Sequence, residues 1–227
     1  MPHDHNKHED MHDNLSPSGH PYRTDDDEPL NYCQVIEISI RELLVEKGIT
    51  TASEIAAQID TMDARRPING AQVVARAWCD PKFHAALMND ASTATRDMGF
   101  DVGALKLIAV ENTENIHNMI VCTLCSCYPR NLLGLPPDWY KSRAYRSRTV
   151  REPRSVLAEF GVTFPSTTKI RVHDSTADMR YIVIPNRPVG TENMMQKDLV
   201  GLVTRDSMIG TGLAITPSKT NAKPQTP

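Results

Sequence analysis

Three cysteines lie within six residues of the sequence, in the segment Cys122-Thr-Leu-Cys125-Ser-Cys127. Thiolates are soft ligands that suit zinc, iron–sulfur clusters and late transition metals. At spacings of three and two residues, the three sulfur atoms can converge on one face of a single ion. The segment follows a predicted strand and precedes a loop rich in proline and glycine. We therefore predict a metal site at this turn.

The spacing alone leaves three kinds of metal site open. A structural zinc site needs a fourth ligand, for which His117 and His173 are the candidates. An iron–sulfur cluster usually takes four cysteines from the chain, and only three are clustered here. A catalytic metal held by three sulfurs would take its other ligands from backbone atoms and from an exogenous molecule. The two remaining cysteines, Cys33 and Cys79, fall in predicted helices, and we expect Cys79 to be a small apolar core residue.

Two carboxylates and an aromatic pair are further candidates outside the cysteine segment. Glu111 and Asp174 end predicted strands and could act as catalytic acids, whereas most carboxylates in such positions are simply solvated. Trp139 and Tyr140 follow two prolines, and we expect them to pack at an interface between subunits.

A dense basic stretch follows the aromatic pair. Its arginines are Arg146, Arg148, Arg151 and Arg154. No aromatic residue, on which a nucleic-acid base could stack, is interleaved with them. The whole chain carries a net charge of −3, whereas phosphate binding favours a basic face. We therefore expect salt bridges to neighbouring helices or to a partner subunit, and no nucleic-acid binding.

Length and composition suit a domain of ordinary size. The 227 residues are 40% apolar but only 5% aromatic, so the core should consist mainly of aliphatic side chains. No apolar run approaches the ~20 residues of a membrane span. The first ten residues, MPHDHNKHED, lack the apolar stretch of a secretory signal. These features predict a cytoplasmic protein that does not enter a membrane.

The elements that must position the cysteines change in type along the chain. Apolar residues at helical spacing predict helices over residues 32–48, 51–62, 73–77 and 81–99, and short helices over 139–142, 153–160 and 198–205. Short β-branched runs predict strands over residues 105–110, 117–121, 169–174 and 179–184. Helices followed by strands predict an α+β fold.

Four regions follow from this order. Residues 1–29, rich in His and Asp, are predicted to be a disordered tail because they lack apolar side chains. Residues 30–99 form a helical segment, residues 100–213 carry the metal-binding domain, and residues 214–227 form a flexible C-terminal tail.

The residues around the cysteines resemble the α subunit of nitrile hydratase. The resemblance lies in VCTLCSCYP and in the flanking segments LLGLPPDWYKS, VREPR, NGAQVVARAWCDP, IRVHDSTADMRYIVIPNRPVGTE and LVTRDSMIG, and it covers roughly residues 32–213. It implies a helical arm followed by a layered αββα domain. It also implies a β-subunit partner in an α2β2 or larger assembly, and an activator protein that inserts the metal.

The resemblance further implies one low-spin Co3+ ion per chain. Its ligands would be the sulfurs of Cys122, Cys125 and Cys127 and the deprotonated backbone amides of Ser126 and Cys127. Cys125 would be oxidised to a sulfinate and Cys127 to a sulfenate, while Cys122 stays a thiolate. In this family threonine after the first cysteine accompanies cobalt, so Thr123 indicates cobalt.

The implied reaction is the hydration of a nitrile to an amide. The ion acts as a Lewis acid, and water or the Cys127 sulfenate oxygen attacks the nitrile carbon to give an imidate that tautomerises to the amide. Cys125 and Ser126 complete the implied catalytic loop. Two arginines of the β subunit are implied to stabilise the oxidised sulfurs.

Two departures from the nitrile hydratase pattern stand near the cluster. Arg130 occupies a position where many members have a tryptophan that lines the substrate pocket, and no glutamine occurs in the stretch 101–105. An arginine at this position resembles the related cobalt enzyme thiocyanate hydrolase, whose γ subunit carries the metal. Arg130 would then bind anionic thiocyanate, which that enzyme converts to carbonyl sulfide and ammonia. The remaining alternative is a non-catalytic metal-binding subunit.

Overall fold

The computed structural model describes residues 30–217, which divide into two compact units, the first ending at Ile55 and the second beginning at Ala56. The predicted N-terminal tail, residues 1–29, lies outside the described residues, as does most of the predicted C-terminal tail. The domain bounds predicted from the sequence stay a prediction.

Eleven α-helices and four strands make up the described residues. The helices are α1 (Tyr32–Glu46), α2 (Ala52–Asp63), α3 (Pro67–Cys79), α4 (Pro81–Asn89), α5 (Ala91–Arg96), α6 (Arg130–Leu133), α7 (Asp138–Lys141), α8 (Arg143–Arg151), α9 (Pro153–Glu159), α10 (Gln196–Leu199) and α11 (Arg205–Ile209). The strands are β1 (Lys106–Glu111), β2 (Ile116–Val121), β3 (Lys169–Asp174) and β4 (Met179–Ile184). Among residues 30–217, none of the helices has the length and apolar character that crossing a bilayer requires.

The strands form two small parallel sheets. β1 pairs with β4, and β2 pairs with β3 in a register that places Val121 beside Asp174. The helices α4 and α5 pack on β1, α11 packs on β4, and α9 packs on β3. The α+β class and the layered arrangement of helices around strands are therefore confirmed.

The core lies between these layers and is mainly aliphatic, as the composition predicts. The residues Met119, Ile120 and Val121 of β2 are completely buried, and so are Ile182, Val183 and Ile184 of β4. Gly70 allows α3 to approach this core closely, because an added Cβ there would lie 2.2 Å from a Leu133 methyl group. The end of β2, which precedes the cysteine segment, is thus fixed by close packing.

Two predicted helices are wrong in extent. The helix predicted over residues 81–99 is interrupted at Asp90, whose carboxylate accepts a hydrogen bond from the Thr93 backbone and caps α5. The helix predicted over residues 198–205 ends in a 3₁₀ turn at Val200–Leu202, and Thr204 then caps α11. Cys79 is exposed at the end of α3, so its predicted place in the core is also wrong.

Candidate metal centre

The cysteine segment begins where β2 leaves its sheet. Cys122 directly follows the buried strand and is itself buried, Cys127 is half-buried and Cys125 is exposed. The Sγ atom of Cys125 lies 3.4 Å from that of Cys122 and 3.2 Å from that of Cys127. All three sulfur atoms lie within 4.8 Å of one another. The structure thus brings the three sulfurs to one point.

Asp174 holds the first turn of this loop. Its carboxylate accepts one hydrogen bond from the Thr123 backbone N–H, at 2.9 Å, and another from the Thr123 hydroxyl, at 2.6 Å. The parallel register places Asp174 at the end of β3, beside the last residue of β2. The position of Asp174 at a strand end predicts a catalytic acid or a solvated carboxylate. The structure shows instead that it positions the residue next to Cys122.

Replacing Asp174 with asparagine is therefore expected to lower the metal content of the chain. A hydrogen bond to a charged acceptor contributes about 1.5–3 kcal/mol, and we expect a loss of about 1 kcal/mol because this carboxylate is exposed. The turn would sample other conformations, and elemental analysis should show metal occupancy reduced several-fold. Asp178→Asn, which neutralises an exposed carboxylate of the neighbouring loop, is the control. Equal occupancy in the two variants would contradict the positioning role.

Tyr140 holds the other end of the loop. Its hydroxyl donates a hydrogen bond of 2.8 Å to the backbone carbonyl of Cys127, and its ring is completely buried. Tyr128 and Tyr145 pack against it, with ring centroids 5.2 and 5.5 Å away. Burial raises the pKa of Tyr140, so the hydroxyl stays a hydrogen-bond donor. The prediction that Tyr140 packs at a subunit interface is wrong, because it lies in the interior of this chain.

Hydrogen bonding, burial and charge give the thiols of Cys125 and Cys127 different pKa values. The hydrogen bond with Cys127, followed by that with Cys122, lowers the pKa of Cys125 to about 7. The backbone N–H groups of Ser126 and Cys127 lower the Cys125 pKa further. Burial, followed by the hydrogen bond with Cys125, raises the pKa of Cys127 to about 12, against the opposing charge of Arg180. Of these two thiols, Cys125, on the exposed side of the cluster, therefore loses its proton more readily.

The candidate fourth ligands lie elsewhere. The two ring nitrogens of His117 contact the Asn112 side chain, at 3.1 Å, and the Gly210 carbonyl, at 2.7 Å. His173 Nε2 lies 2.8 Å from Asn118 Oδ1. Neither histidine belongs to the sulfur cluster. Glu111, the other candidate acid, pairs with His84 at 2.8 Å. The structural zinc interpretation thus receives no fourth ligand from these histidines.

Arg130 lies close to the cluster along the chain. It begins α6, and its side chain lines a cavity of about 80 Å³ together with Tyr128 and Arg180. Apart from Asn131, apolar residues form the remaining wall, among them Leu105 and Leu107. None of the cysteines lines this cavity. Two guanidinium groups beside a small, partly apolar cavity could accept an anionic or strongly dipolar small molecule.

The donor set fits a soft transition metal. Three sulfurs converge, one of them carries a lowered pKa, and the backbone amides of Ser126 and Cys127 lie within the same loop. Thiolate ligands must lose their protons on binding; the lowered pKa of Cys125 favours that loss, whereas the raised pKa of Cys127 opposes it until a cation is present. The positive charge of Arg180 favours the ionised form of Cys127. No local sequence pattern pointed to Arg180, and the pattern at Tyr140 predicted only a subunit contact.

Comparison with known proteins gives consistent matches over most of the chain. The family described as "Nitrile hydratase, alpha chain" matches residues 31–212. The α subunit of the low-molecular-weight cobalt-containing nitrile hydratase of Rhodococcus rhodochrous is 49% identical, over 80% of this chain and 88% of that protein. The γ subunit of the Thiobacillus thioparus thiocyanate hydrolase is 38% identical, over 84% and 83%. A solved recombinant thiocyanate hydrolase with partially modified cobalt centres superposes with a TM-score of 0.76 at 35% identity, over 88% of this chain and 100% of that chain.

Proposed function

This chain belongs to the nitrile hydratase alpha-chain family, and we propose that it is the metal-carrying α subunit of a cobalt nitrile hydratase, which hydrates nitriles to amides. The observation that carries the proposal is the convergence of three sulfur atoms within 4.8 Å at the end of β2. A relative that is 49% identical is named as a cobalt-containing nitrile hydratase subunit. The chemistry of the donor set and the family therefore agree.

We propose that Cys122, Cys125 and Cys127 hold one Co3+ ion through their sulfurs, together with the amide nitrogens of Ser126 and Cys127. When bound, cobalt would supply Lewis-acid activation of a nitrile or of water. Thr123 supports cobalt, as do relatives named for this metal. Elemental analysis after growth with added cobalt should find about one cobalt per chain, and stoichiometric zinc or iron in its place would refute the assignment.

The cysteines and the residues that contact them have separate proposed roles in binding the ion and positioning the substrate. Cys122 is buried and anchors the loop to β2. Cys127, as a sulfenate, would present an oxygen to the nitrile carbon or hold a water molecule there. Tyr140 fixes the Cys127 backbone, and the charge of Arg180 stabilises an anion on its sulfur. Cys125, as a sulfinate, would keep its negative charge on the exposed side.

The proposed oxidation states make a prediction for the purified, active enzyme. The peptide that contains both Cys125 and Cys127 should be heavier by three oxygen atoms, two on Cys125 and one on Cys127, because a sulfinate carries two oxygens and a sulfenate one. Mass spectrometry without prior reduction measures this shift. A thiol reductant should remove the Cys127 oxygen and depress activity, whereas the Cys125 sulfinate should persist. Unmodified thiols in active protein would contradict the proposal.

We further propose that a β subunit covers this site in an α2β2 or larger assembly. Leu124, at the tip of the cysteine loop, is 88% exposed, and a subunit that covers the site would bury this side chain. In the other unit, α1 exposes Tyr32, Val35 and Ile40 along its length. Both surfaces would gain from contact with a partner. An activator protein that inserts cobalt, and a cytoplasmic location, stay predictions.

Thiocyanate hydrolysis is the second candidate function. Arg130 and Arg180 line one cavity, and their charges suit an anionic substrate. A thiocyanate hydrolase γ subunit is also among the relatives. Co-purification of the chain with the products of its neighbouring genes, followed by parallel assays on nitriles and thiocyanate, separates the two reactions. A colourless assembly that is inactive on both substrates would favour a non-catalytic metal-binding subunit.

A further inference from the structure

An open basic groove runs along α8 beside the cysteine loop. Its residues, Thr123, Arg143, Arg146, Ser147, Val150 and Arg151, enclose about 640 Å³. The α8 members follow one another at i, i+3, i+4, i+7 and i+8, so they share one face of the helix. The opposite face carries the buried residues Tyr145 and Thr149. Core packing therefore fixes the groove in place, and Thr123 makes it continuous with the metal loop.

The guanidinium groups of the groove have no carboxylate partner within residues 30–217. Salt bridges in that part of the chain include Arg148, which contacts Glu152 at 2.8 Å and also Glu159, but none of the groove arginines. Arg146 donates only a long hydrogen bond, 3.4 Å, to the Thr123 carbonyl, and its Nε is buried without a partner. Arg151 donates to the Ser147 carbonyl at 3.2 Å. Carboxylates that follow α8 in the chain thus pair with Arg148, which lies outside the groove, and the groove arginines stay available to a partner.

We propose that this groove binds a carboxylate-bearing segment of the β subunit and so places that subunit against the metal loop. The inference deepens the proposed function and rests on it. Guanidinium groups pair with carboxylates through two parallel hydrogen bonds, and arginines at successive turns of one helix face can take successive acidic side chains. Val150, 46% exposed at the same face, offers an apolar contact to a polypeptide.

Two features favour a polypeptide over a nucleic acid. The groove has no aromatic side chain on which a base could stack, and the whole chain has a net charge of −3. The location of the groove beside the cysteine loop favours the β subunit as the source of this polypeptide. A segment seated here contacts Thr123 and therefore lies next to the exposed Leu124, the same surface that the partner is proposed to cover. Arg146 of the groove donates a hydrogen bond to the Thr123 carbonyl, so the occupant would adjoin the cysteine loop one residue after Cys122.

The first experiment uses the full chain and a fluorescein-labelled hexaglutamate peptide, with hexaglutamine as the uncharged reference. Arg143→Gln/Arg151→Gln removes two groove charges, and Lys82→Gln/Arg171→Gln removes the same charge from exposed positions that do not line the groove. We expect the groove variant to bind hexaglutamate about ten-fold more weakly than the wild type and the control to differ by less than about two-fold. Circular dichroism should show that both variants are folded.

The second experiment co-expresses each variant with the β subunit encoded beside it. The groove variant should lose the β subunit at a lower salt concentration than the control, because charges at an interface rim govern association and its salt dependence. The proposal would be overturned if both double variants lost the β subunit at the same salt concentration. It would also be overturned if the wild-type chain bound a thymidine oligonucleotide more tightly than it binds hexaglutamate. If the groove variant assembles like the wild type and hydrates nitriles, the groove proposal alone is wrong. A wild-type assembly without cobalt and without activity would instead overturn the proposed function.

Discussion

Replacing Cys127 with alanine is expected to abolish nitrile hydration and cobalt retention while the fold persists. The three sulfurs act as one ligand set, so a chain with two of them cannot hold the ion in the same geometry. Cys127 is only half-buried, and the core packing of β2 ends before it, so the variant should fold. We expect turnover to fall by more than about 100-fold. Even the loss of a residue that only hydrogen-bonds to a metal ligand lowers metal affinity or activity by about 10–100-fold. Turnover, visible absorption and elemental analysis measure the effect.

Cys79→Ala provides the matched control, because Cys79 is a free, exposed cysteine outside the cluster. This variant should keep its cobalt, its colour and its turnover. Cys122→Ala should lose activity as fully as Cys127→Ala, although the removal of a buried side chain also lowers stability. A Cys127→Ala protein that retains stoichiometric cobalt and a tenth of the wild-type turnover would show that the third sulfur is dispensable.

The strands were predictable because their sequences are short, β-branched and bounded by polar residues. The bounds of β3 and β4 agree with the predicted ranges 169–174 and 179–184. The helix α8 was missed for a physical reason. Its sequence, RAYRSRTVR, buries only Tyr145 and Thr149, so it has little apolar periodicity and depends on packing against the rest of the chain.

Polar caps explain the helices whose extent was wrong. Asp90 and Thr204 stand within stretches whose apolar residues continue at helical spacing on both sides. Each side chain accepts a backbone hydrogen bond from the residue three positions later, which starts a new helix and ends the old one. Apolar periodicity cannot detect such a break, because the spacing of buried residues continues across it.

Within the site, local contacts could be predicted from the sequence, whereas long-range contacts could not. The sulfurs of Cys122, Cys125 and Cys127 meet because they are close in sequence, so their spacing was sufficient to predict the cluster. Asp174 reaches Thr123 from 51 positions away, through the parallel pairing of β2 and β3. Neither the parallel register nor its partners could be derived from strand patterns alone. The residues that support the loop were therefore visible only in the fold.

Changing Arg130 to tryptophan is expected to separate the two candidate reactions. If the chain serves a nitrile hydratase, the arginine replaces an apolar wall, and Arg130→Trp should preserve or raise turnover of small neutral nitriles. If it serves a thiocyanate hydrolase, the guanidinium binds the anion, and its loss should remove about 1.5–3 kcal/mol of substrate stabilisation. This corresponds to a loss of about 10-fold to 150-fold in kcat/KM for thiocyanate.

The surroundings of Arg130 make the tryptophan variant feasible. The side chain is exposed at the start of α6, and its cavity already has apolar walls at Val102, Leu105 and Leu107. An indole ring can therefore pack there without displacing the core. Arg130→Lys keeps the charge but not the planar, forked donor group, so it should retain part of any thiocyanate activity. A general loss of stability would lower both activities together, whereas a role in substrate choice changes their ratio.

The wild-type assembly gives the decisive comparison between the two reactions. Arg180 lines the same cavity and remains in the Arg130→Trp variant, so the cavity keeps one positive charge. Residual thiocyanate turnover in that variant would thus be expected even if Arg130 binds the anion. Wild-type kcat/KM for small nitriles should exceed that for thiocyanate if the proposed function is correct. A wild-type preference for thiocyanate over every nitrile tested, lost on Arg130→Trp, would overturn nitrile hydration and assign Arg130 to recognition of the anion.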